Sequence, residues 1–189
     1  MYAVELGEDG AVLAPLEPWQ AGEFLAHMDR GREAIGRYVG LADAVTDPDT
    51  ARAFLTSYAE KAAADTGRLH GIREKDGTLV GGVLLRTLDL VQGVCEAGCW
   101  LEPSATGRGL VTRAATALID WAVEERGIHR VEWYASSANA ASLAVAARLG
   151  MTREGVLRQS YLHRGERHDM EVWAVLAPEW RARREDARR

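Results

Sequence analysis

The chain has 189 residues, a length that suits one domain with a complete hydrophobic core. Apolar residues make up 47% and charged residues 27%, and the net charge of −5 gives no overall basic field for nucleic acid or an anionic membrane. No stretch approaches the ~20 apolar residues that a membrane-spanning helix needs. We therefore expect neither a nucleic-acid partner nor a membrane partner.

The N-terminal residues and the two cysteines give an expectation for the cellular location of the protein. Residues 1–16 are acidic and contain no long apolar run, so neither a secretory signal nor a transit peptide is predicted. Cys95 and Cys99 lie four apart without a second pair, which predicts neither a zinc site nor a disulfide framework. A cytoplasmic location is expected. Residues 181–189 are interpreted as a charged, frayed tail after one domain spanning 1–180.

The first third of the chain is predicted to be mainly helical. A short strand is expected at 11–14, and a proline begins a helical stretch over about 18–34. Asp47 before a proline is typical of a helix N-cap, so a second helix is expected over 48–64.

From residue 68 the pattern changes to strands. Strands are predicted at 69–73, 79–84 and 93–101, and a helix with a one-sided apolar stripe is predicted at 110–125. A strand, a helix and two closing strands follow, at 129–135, 140–149, 151–158 and 170–176. This order predicts an α/β (α+β) fold in which a mixed sheet carries helices on both faces.

The segment before the long helix has the features of a phosphate-binding loop. Thr106-Gly107-Arg108-Gly109 leads directly into the helix that begins at Leu110. Glycines let the backbone approach a ligand, the first helical N–H groups lack acceptors, and the helix dipole favours an anion. Arg108 can add a charged donor. An ordinary tight turn is the alternative, and neither a Walker A loop nor a dinucleotide fingerprint is complete.

Further motif residues lie on both sides of this loop. They are Glu96-Ala97-Gly98-Cys99-Trp100-Leu101, Gly107-Arg108-Gly109, Asn139, Ser142, Leu149-Gly150-Met151, Glu154-Gly155 and His168-Asp169. In order and spacing they resemble the GNAT superfamily of N-acyltransferases over residues 68–177, and within it the Rim-type ribosomal-protein N-terminal acetyltransferases. The resemblance implies a mostly antiparallel sheet, splayed between the strand ending at Leu101 and the strand at 129–135.

The resemblance also implies that acyl-CoA lies in this opening. Its pantetheine would pair with the backbone at Cys99, Trp100 and Leu101, where splaying leaves strand-edge groups unpaired. Its pyrophosphate would rest on the N–H groups of Thr106 to Leu110. The family usually has Gln or Arg three residues before the first glycine, where this chain has Ser104, so weaker or differently oriented phosphate contacts are expected.

Asn139 and Ser142 each allow two interpretations. By position Asn139 is a helix N-cap and Ser142 an unremarkable first-turn residue. The resemblance implies instead that Asn139 contacts the cofactor arm and that Ser142 helps the departing thiolate. Many superfamily members use a tyrosine for that step, and its position here is Ala146, which favours Ser142.

The base that deprotonates the acceptor is harder to assign. Glu96 shares a predicted strand face with Trp100, so it either faces the opening as a base or is a structural glutamate paired with an arginine. Where some Rim-type enzymes have a catalytic Glu, this chain has Tyr161. Tyr161 and Tyr38 are candidates for the acceptor pocket. The polar run 163–169 lacks a complete metal-ligand set and predicts a solvated turn.

Together these features predict an acetyl-CoA-dependent N-acetyltransferase without a metal. The acceptor would be a primary amine, on a protein N-terminus or a small molecule, attacking the thioester directly. Three alternatives stay open: a non-catalytic acyl-CoA-binding module, an acyltransferase for a longer or charged group such as succinyl, and a nucleotide-binding module. Relatives are often dimers, so a homodimer is also open.

Overall fold

A computed structural model describes residues 3–187, whose strands form one eight-stranded sheet. The spatial order is β1-β2-β3-β4-β5-β6-β8-β7, and among these neighbours only β5 and β6 run parallel. The strands are β1 Val4–Glu5, β2 Val12–Pro15, β3 Arg68–Arg73, β4 Leu79–Asp89, β5 Val94–Leu101, β6 Arg130–Ser136, β7 Thr152–His163 and β8 Glu166–Leu176. The mixed, mostly antiparallel sheet predicted from the sequence is confirmed.

Six α-helices cover the two faces of the sheet. They are α1 Ala21–Ile35, α2 Leu41–Ala44, α3 Pro48–Ala63, α4 Leu110–Glu124, α5 Ala140–Arg148 and α6 Ala177–Asp186. One apolar cluster lies between the sheet and α4 to α6, and a second lies between the sheet and α1 to α3. Successive side chains of β4 point to opposite faces of the sheet, so Val83 and Leu85 belong to the first cluster and Leu84 to the second.

Helix α4 shows how the sequence pattern becomes packing. Its apolar stripe is buried against the sheet, and Leu118 and Ile119 are almost completely inaccessible to solvent. Burial of each such side chain contributes about 1.5–3 kcal/mol to folding. The helix begins at Leu110, as the sequence predicted, and its C-cap is Glu125; Gly127, in the left-handed conformation, follows two residues later. The Asp47 cap is also confirmed, because its Oδ1 accepts from the N–H groups of Asp49 and Thr50.

The sheet opens in its middle, at the one parallel pair. β5 and β6 are paired only from Val94–Arg130 to Ala97–Trp133. Beyond that point β5 follows β4 as far as Leu101, while β6 follows β8 as far as Ser136. The two strands therefore diverge where the sequence predicted a splay.

The C-terminal prediction is wrong for residues 181–186, which form the last turns of α6 instead of a frayed tail. The helix is held by the buried Trp180, whose Nε1 donates to Asp120 Oδ1 at 2.8 Å. Arg184 pairs with the same carboxylate at 2.9 Å. Because Asp120 lies on α4, sixty residues before Trp180, the sequence near the C-terminus does not indicate that this helix packs against α4. Arg188 and Arg189 lie outside the described residues.

The closing hairpin is longer than predicted. β7 and β8 extend to His163 and back from Glu166, so the turn expected over 163–169 is reduced to Arg164 and Gly165. Among residues 3–187, no helix is long and apolar enough to span a membrane.

Candidate functional site

A cleft of about 1380 Å³ lies at the splay between β5 and β6. The α1–α2 segment, the loop before α4, the first turn of α5 and the middle of β7 complete its walls. Of the predicted site residues, all but Arg108 line it: Tyr38, Glu96, Cys99, Trp100, Leu101, Thr106, Gly107, Gly109, Leu110, Asn139, Ser142 and Tyr161. The fold therefore brings together residues more than a hundred positions apart.

At one end of the cleft two left-handed glycines lead into α4. Gly107 has φ +79° and Gly109 has φ +71°, a region that L side chains rarely adopt. Gly109 is the N-cap of α4, and within residues 3–187 no side chain caps the first turn. The N–H groups of that turn are therefore open to an anion, which the helix dipole also favours.

The guanidinium of Arg108 turns away from the cleft. It donates to Glu74, and its Nη2 lies 3.8 Å from Oδ2 of Asp9. Arg113 binds the same Asp9 oxygen at 2.7 Å and the carbonyl of Arg108 at 2.9 Å. Glu74 and Asp9 thus contact the guanidinium that the sequence predicted would donate to a phosphate. The backbone N–H of Arg108 is what keeps this residue a candidate.

The unpaired part of β5 forms one long wall of the cleft. Beyond Ala97 no described strand pairs with the β6 side of Cys99, Trp100 and Leu101. Burial raises the pKa of the Cys99 thiol to about 12, so it stays protonated at neutral pH. Burial likewise raises the pKa of Cys95 to about 12. Neither sulfur is therefore suited to act as a nucleophile.

The first turn of α5 places two polar groups on the cleft. Asn139 Oδ1 accepts from the N–H of Ser142 at 3.1 Å, so Asn139 is the N-cap of α5. Ser142 Oγ accepts from the indole Nε1 of the buried Trp133 at 2.9 Å. The N-cap role of Asn139 does not exclude the predicted cofactor contact, since its side chain also faces the cleft.

At the other end lie Tyr38, Tyr161 and Glu96. Glu96 is only 25% exposed and its Oε1 accepts from Nε of Arg86 at 2.7 Å. The structural interpretation is confirmed by the pair with Arg86, while Glu96 also lines the cleft and its role as the base stays a prediction. As an acceptor-only group with a free lone-pair direction, it can take a proton from a nearby ammonium.

Tyr134 also lines this end and was not identified from the sequence. Its Oη donates to Oε2 of Glu132 at 3.2 Å. Burial raises the pKa of Tyr134, and the charges of Glu132 and Glu96 add to the effect, so the phenol stays protonated. The available signal was strand alternation, which places residues 132 and 134 together on one face of β6.

The β7–β8 hairpin covers this end of the cleft. Nε2 of the buried His163 donates to the carbonyl of Gly36 at 2.8 Å, and Arg164 Nη2 pairs with Asp43 Oδ1 at 2.6 Å. The Tyr161 ring stacks on His163 with centroids 5.6 Å apart. His163 is therefore engaged in tying the hairpin to the α1–α2 segment. Residues 3–187 contain no group of three or more His, Cys, Asp or Glu that could hold a metal ion.

Comparison with known families decides what kind of cleft this is. Residues 12–152 match the acetyltransferase (GNAT) domain family. The chain belongs to the GNAT acetyltransferase family. The GNAT fold and the N-acetyltransferase class predicted from the sequence are confirmed.

Individual relatives agree with this assignment. YdaF of Bacillus subtilis, named as a candidate ribosomal N-acetyltransferase, is 30% identical over 165 residues, which are 87% of this chain and 90% of YdaF. A candidate acetyltransferase of known crystal structure has a TM-score of 0.87 at 29% identity, covering 95% of this chain and 99% of its own. RimL, a ribosomal L7/L12 α-N-protein acetyltransferase solved with coenzyme A, has a TM-score of 0.85 at 18% identity, covering 89% and 95%. The last of these likenesses shows a shared GNAT fold.

Proposed function

We propose that this GNAT enzyme transfers an acetyl group from acetyl-CoA to a primary amine by direct attack in a ternary complex. The observation that carries the proposal is the cleft itself, which joins open helix N–H groups at one end to the Glu96 carboxylate at the other. Its volume of about 1380 Å³ leaves room for a donor and an acceptor at once. The relatives named as ribosomal N-acetyltransferases support a protein N-terminal amine as one acceptor, beside a small-molecule amine.

The donor half of the cleft suits coenzyme A. The pyrophosphate would bind the N–H groups from Thr106 to Leu110, where Gly107 and Gly109 leave the backbone uncovered. The amides of pantetheine would pair with the open edge of β5 from Cys99 to Leu101. These contacts carry the acetyl thioester to the apex of the splay, which lies beside Ser142.

The reaction needs three groups. The acceptor ammonium loses a proton to Glu96, directly or through water, and the free amine attacks the thioester carbonyl. A backbone N–H near Leu101 polarises that carbonyl and stabilises the oxyanion. The nitrogen of the tetrahedral intermediate gives its second proton to water, and the C–S bond then breaks, with its electron pair going to the sulfur, while the hydroxyl of Ser142 faces that leaving sulfur. Since the Cys99 thiol stays protonated, no acyl-cysteine intermediate is proposed.

A charged acyl group such as succinyl is the second candidate donor. Arg37, Arg86 and Arg148 line the cleft, whereas Arg158 does not. Arg86 is already paired with Glu96 at 2.7 Å, and the Arg37 guanidinium lies 5.4 Å from the centre of the Tyr38 ring. Because Glu96 already neutralises Arg86, this cation is less available to the carboxylate of a succinyl group, which favours acetyl.

The test is a matrix of acyl donors against amine acceptors. Acetyl-CoA, succinyl-CoA and longer acyl-CoAs are each combined with peptides bearing free N-termini, the same peptides N-terminally blocked but containing lysine, and small amines. Release of CoA thiol measures turnover. We expect acetyl-CoA to be preferred with at least one acceptor. No CoA release with any pair, despite CoA binding, would identify a non-catalytic module.

One further measurement separates the nucleotide alternative. Thermal stabilisation is compared with CoA and with ATP at equal concentrations. We expect CoA to raise the melting temperature more than ATP does, because only CoA also fills the β5 edge. Stabilisation by ATP alone would overturn the proposal. The cytoplasmic location and the homodimer stay predictions.

A further inference from the structure

The hydrogen bond between Trp133 and Ser142 lies at the apex of the splay. Trp133 is the last residue of β6 that pairs with β5, opposite Ala97. Its side chain is 1% exposed and belongs to the apolar cluster under α4 and α5. The indole Nε1 reaches Oγ of Ser142, on the first turn of α5, at 2.9 Å. A rigid buried ring therefore holds a hydroxyl that lines the cleft.

The chemistry of the indole fixes the direction of this bond. An indole N–H donates and cannot accept, so Ser142 Oγ must be the acceptor. One oxygen lone pair is then occupied and the hydroxyl hydrogen has to point elsewhere. Within residues 3–187 Ser142 Oγ has no acceptor of its own. Its hydrogen is free to turn toward the cleft.

We propose that Trp133 is a positioning residue that makes Ser142 a hydrogen-bond donor to the leaving sulfur. The inference rests on the proposed acetyl transfer. As the tetrahedral intermediate collapses, the C–S electron pair moves onto sulfur, and the Ser142 O–H stabilises the developing thiolate. Trp133 cannot return a proton to Ser142. The serine therefore keeps its proton, and the thiolate is protonated by water on release.

The effect of Trp133 is confined to the step in which sulfur leaves. Trp133 lines the cleft, but its ring is almost completely buried and its Nε1 is occupied by Ser142, so its side chain offers the donor no hydrogen bond of its own. Without the indole N–H, the Ser142 hydroxyl is free to rotate and can donate its hydrogen to acceptors other than the leaving sulfur. The rate of acetyl transfer should fall while CoA binding is retained. A merely structural tryptophan would change both or neither.

The chain offers a matched control. Trp173 on β8 pairs directly with Trp133 across the sheet, and its Nε1 donates to Oε2 of Glu171 at 3.0 Å instead of to Ser142. Its ring packs partly against the same apolar cluster. Trp173→Phe therefore removes one indole N–H from the same region without touching the serine.

The experiment compares Trp133→Phe, Trp173→Phe, Ser142→Ala and the Trp133→Phe/Ser142→Ala double variant. Single-turnover rates of acetyl transfer and the Kd for CoA are measured for each. We expect Trp133→Phe to slow transfer about fivefold, the effect of one net hydrogen bond, with the Kd for CoA changed less than about twofold. Ser142→Ala should be slower still, and the double variant should equal Ser142→Ala, because Trp133 acts only through that hydroxyl.

Independent, multiplying effects in the double variant would overturn the inference, as would equal rates for Trp133→Phe and Trp173→Phe. If Trp133→Phe does not fold, benzothienylalanine at position 133 keeps the ring shape and removes only the N–H, and the same comparison is made with it. A wild-type enzyme that releases no CoA with any acceptor contradicts the proposed function. A wild type that turns over, with an unaffected Trp133 variant, contradicts the positioning role alone.

Discussion

The imidazole of His27 lies 2.5 Å from the carboxylate of Glu102, measured from Nδ1 to Oε1, beneath the loop that begins α4. Nε2 of His27 accepts from the indole N–H of Trp100 at 2.9 Å, which fixes the proton on Nδ1. Arg30 binds the same Glu102 oxygen, with Nη2 at 2.7 Å from Oε1, and its Nε donates to Oε2 at 3.4 Å. A buried chain of polar groups thus ties α1 to the end of β5.

Removal of this histidine should destabilise the whole fold. His27→Ala leaves the buried Trp100 N–H without its acceptor, removes one of the donors to Glu102 Oε1, and opens a cavity. We expect a loss of about 3 kcal/mol in the free energy of unfolding, measured by urea denaturation. His27→Gln is the conservative comparison, since its amide can accept from Trp100 and donate to Glu102. A loss below about 1 kcal/mol in His27→Ala would show that the network is dispensable.

The same histidine predicts a pH dependence. Burial lowers the pKa of His27 below its ordinary value of 6.5, although Glu102 opposes the shift. The unfolded chain therefore takes up a proton near pH 6.5 while the folded protein does not. The contribution of neutral His27 to the free energy of unfolding should be fully present above that pH and should decrease as the pH falls from about 7 toward 5.5. The melting temperature measured across this range should fall in the wild type and fall less in His27→Gln. Identical slopes would contradict the assignment.

The loop glycines lead to a prediction about donor binding. Gly107 and Gly127 both adopt left-handed backbone with open space where a Cβ would stand, but only Gly107 lines the cleft. Substitution by Ala should cost each about 1–2 kcal/mol of strain. Gly107→Ala should also raise KM for acetyl-CoA about tenfold at nearly constant kcat, as loss of ground-state binding does. Gly127→Ala should leave KM unchanged. Equal KM values in the two variants would place the pyrophosphate elsewhere.

Glu96 leads to a prediction about catalysis. If the Glu96 carboxylate takes the proton from the ammonium group of the acceptor, Glu96→Gln should lower kcat/KM about a hundredfold near neutral pH. The loss should shrink as the pH rises toward the pKa of the acceptor amine, which then arrives deprotonated. Glu132→Gln is the control, because Glu132 stands opposite Glu96 on β6 but does not line the cleft. A rate within about threefold of wild type in Glu96→Gln would assign the proton transfer to water.

The sequence predicted best what is local or carried by an ordered set of motifs. The glycine loop, the Asp47 cap and the stripe of α4 each follow from neighbouring residues. The family pattern added the splay, which no periodicity reveals. The pairs that close the molecule were missed because they are distant in the chain, as with Trp180 and Asp120 or His163 and Gly36. Arg108 illustrates the same limit, since its distant partner Glu74 redirects a charge that looked available.

β7 contains a bulge near the acceptor end of the cleft. The pairing with β8 shifts between Leu157 and Tyr161, and Gln159 within this stretch has φ +51°, an uncommon conformation for a residue with a side chain. Asp169 Oδ1 accepts from the N–H of Gln159 at 2.7 Å and so stabilises the bulge. The bulge in turn directs Ser160 and Tyr161 into the acceptor end of the cleft.

Asp169→Ala should therefore alter acceptor binding and spare donor binding. We expect KM for the acceptor to rise about fivefold, the effect of one net hydrogen bond, while KM for acetyl-CoA is unchanged. Asp89→Ala is the matched control, because Asp89 Oδ1 also accepts backbone N–H groups, from Val91 and Gln92, in a turn away from the cleft. Both variants lose one turn-stabilising carboxylate, and only Asp169→Ala should affect the acceptor. A shift in acetyl-CoA KM, or none in acceptor KM, would mean that the bulge does not shape the acceptor pocket.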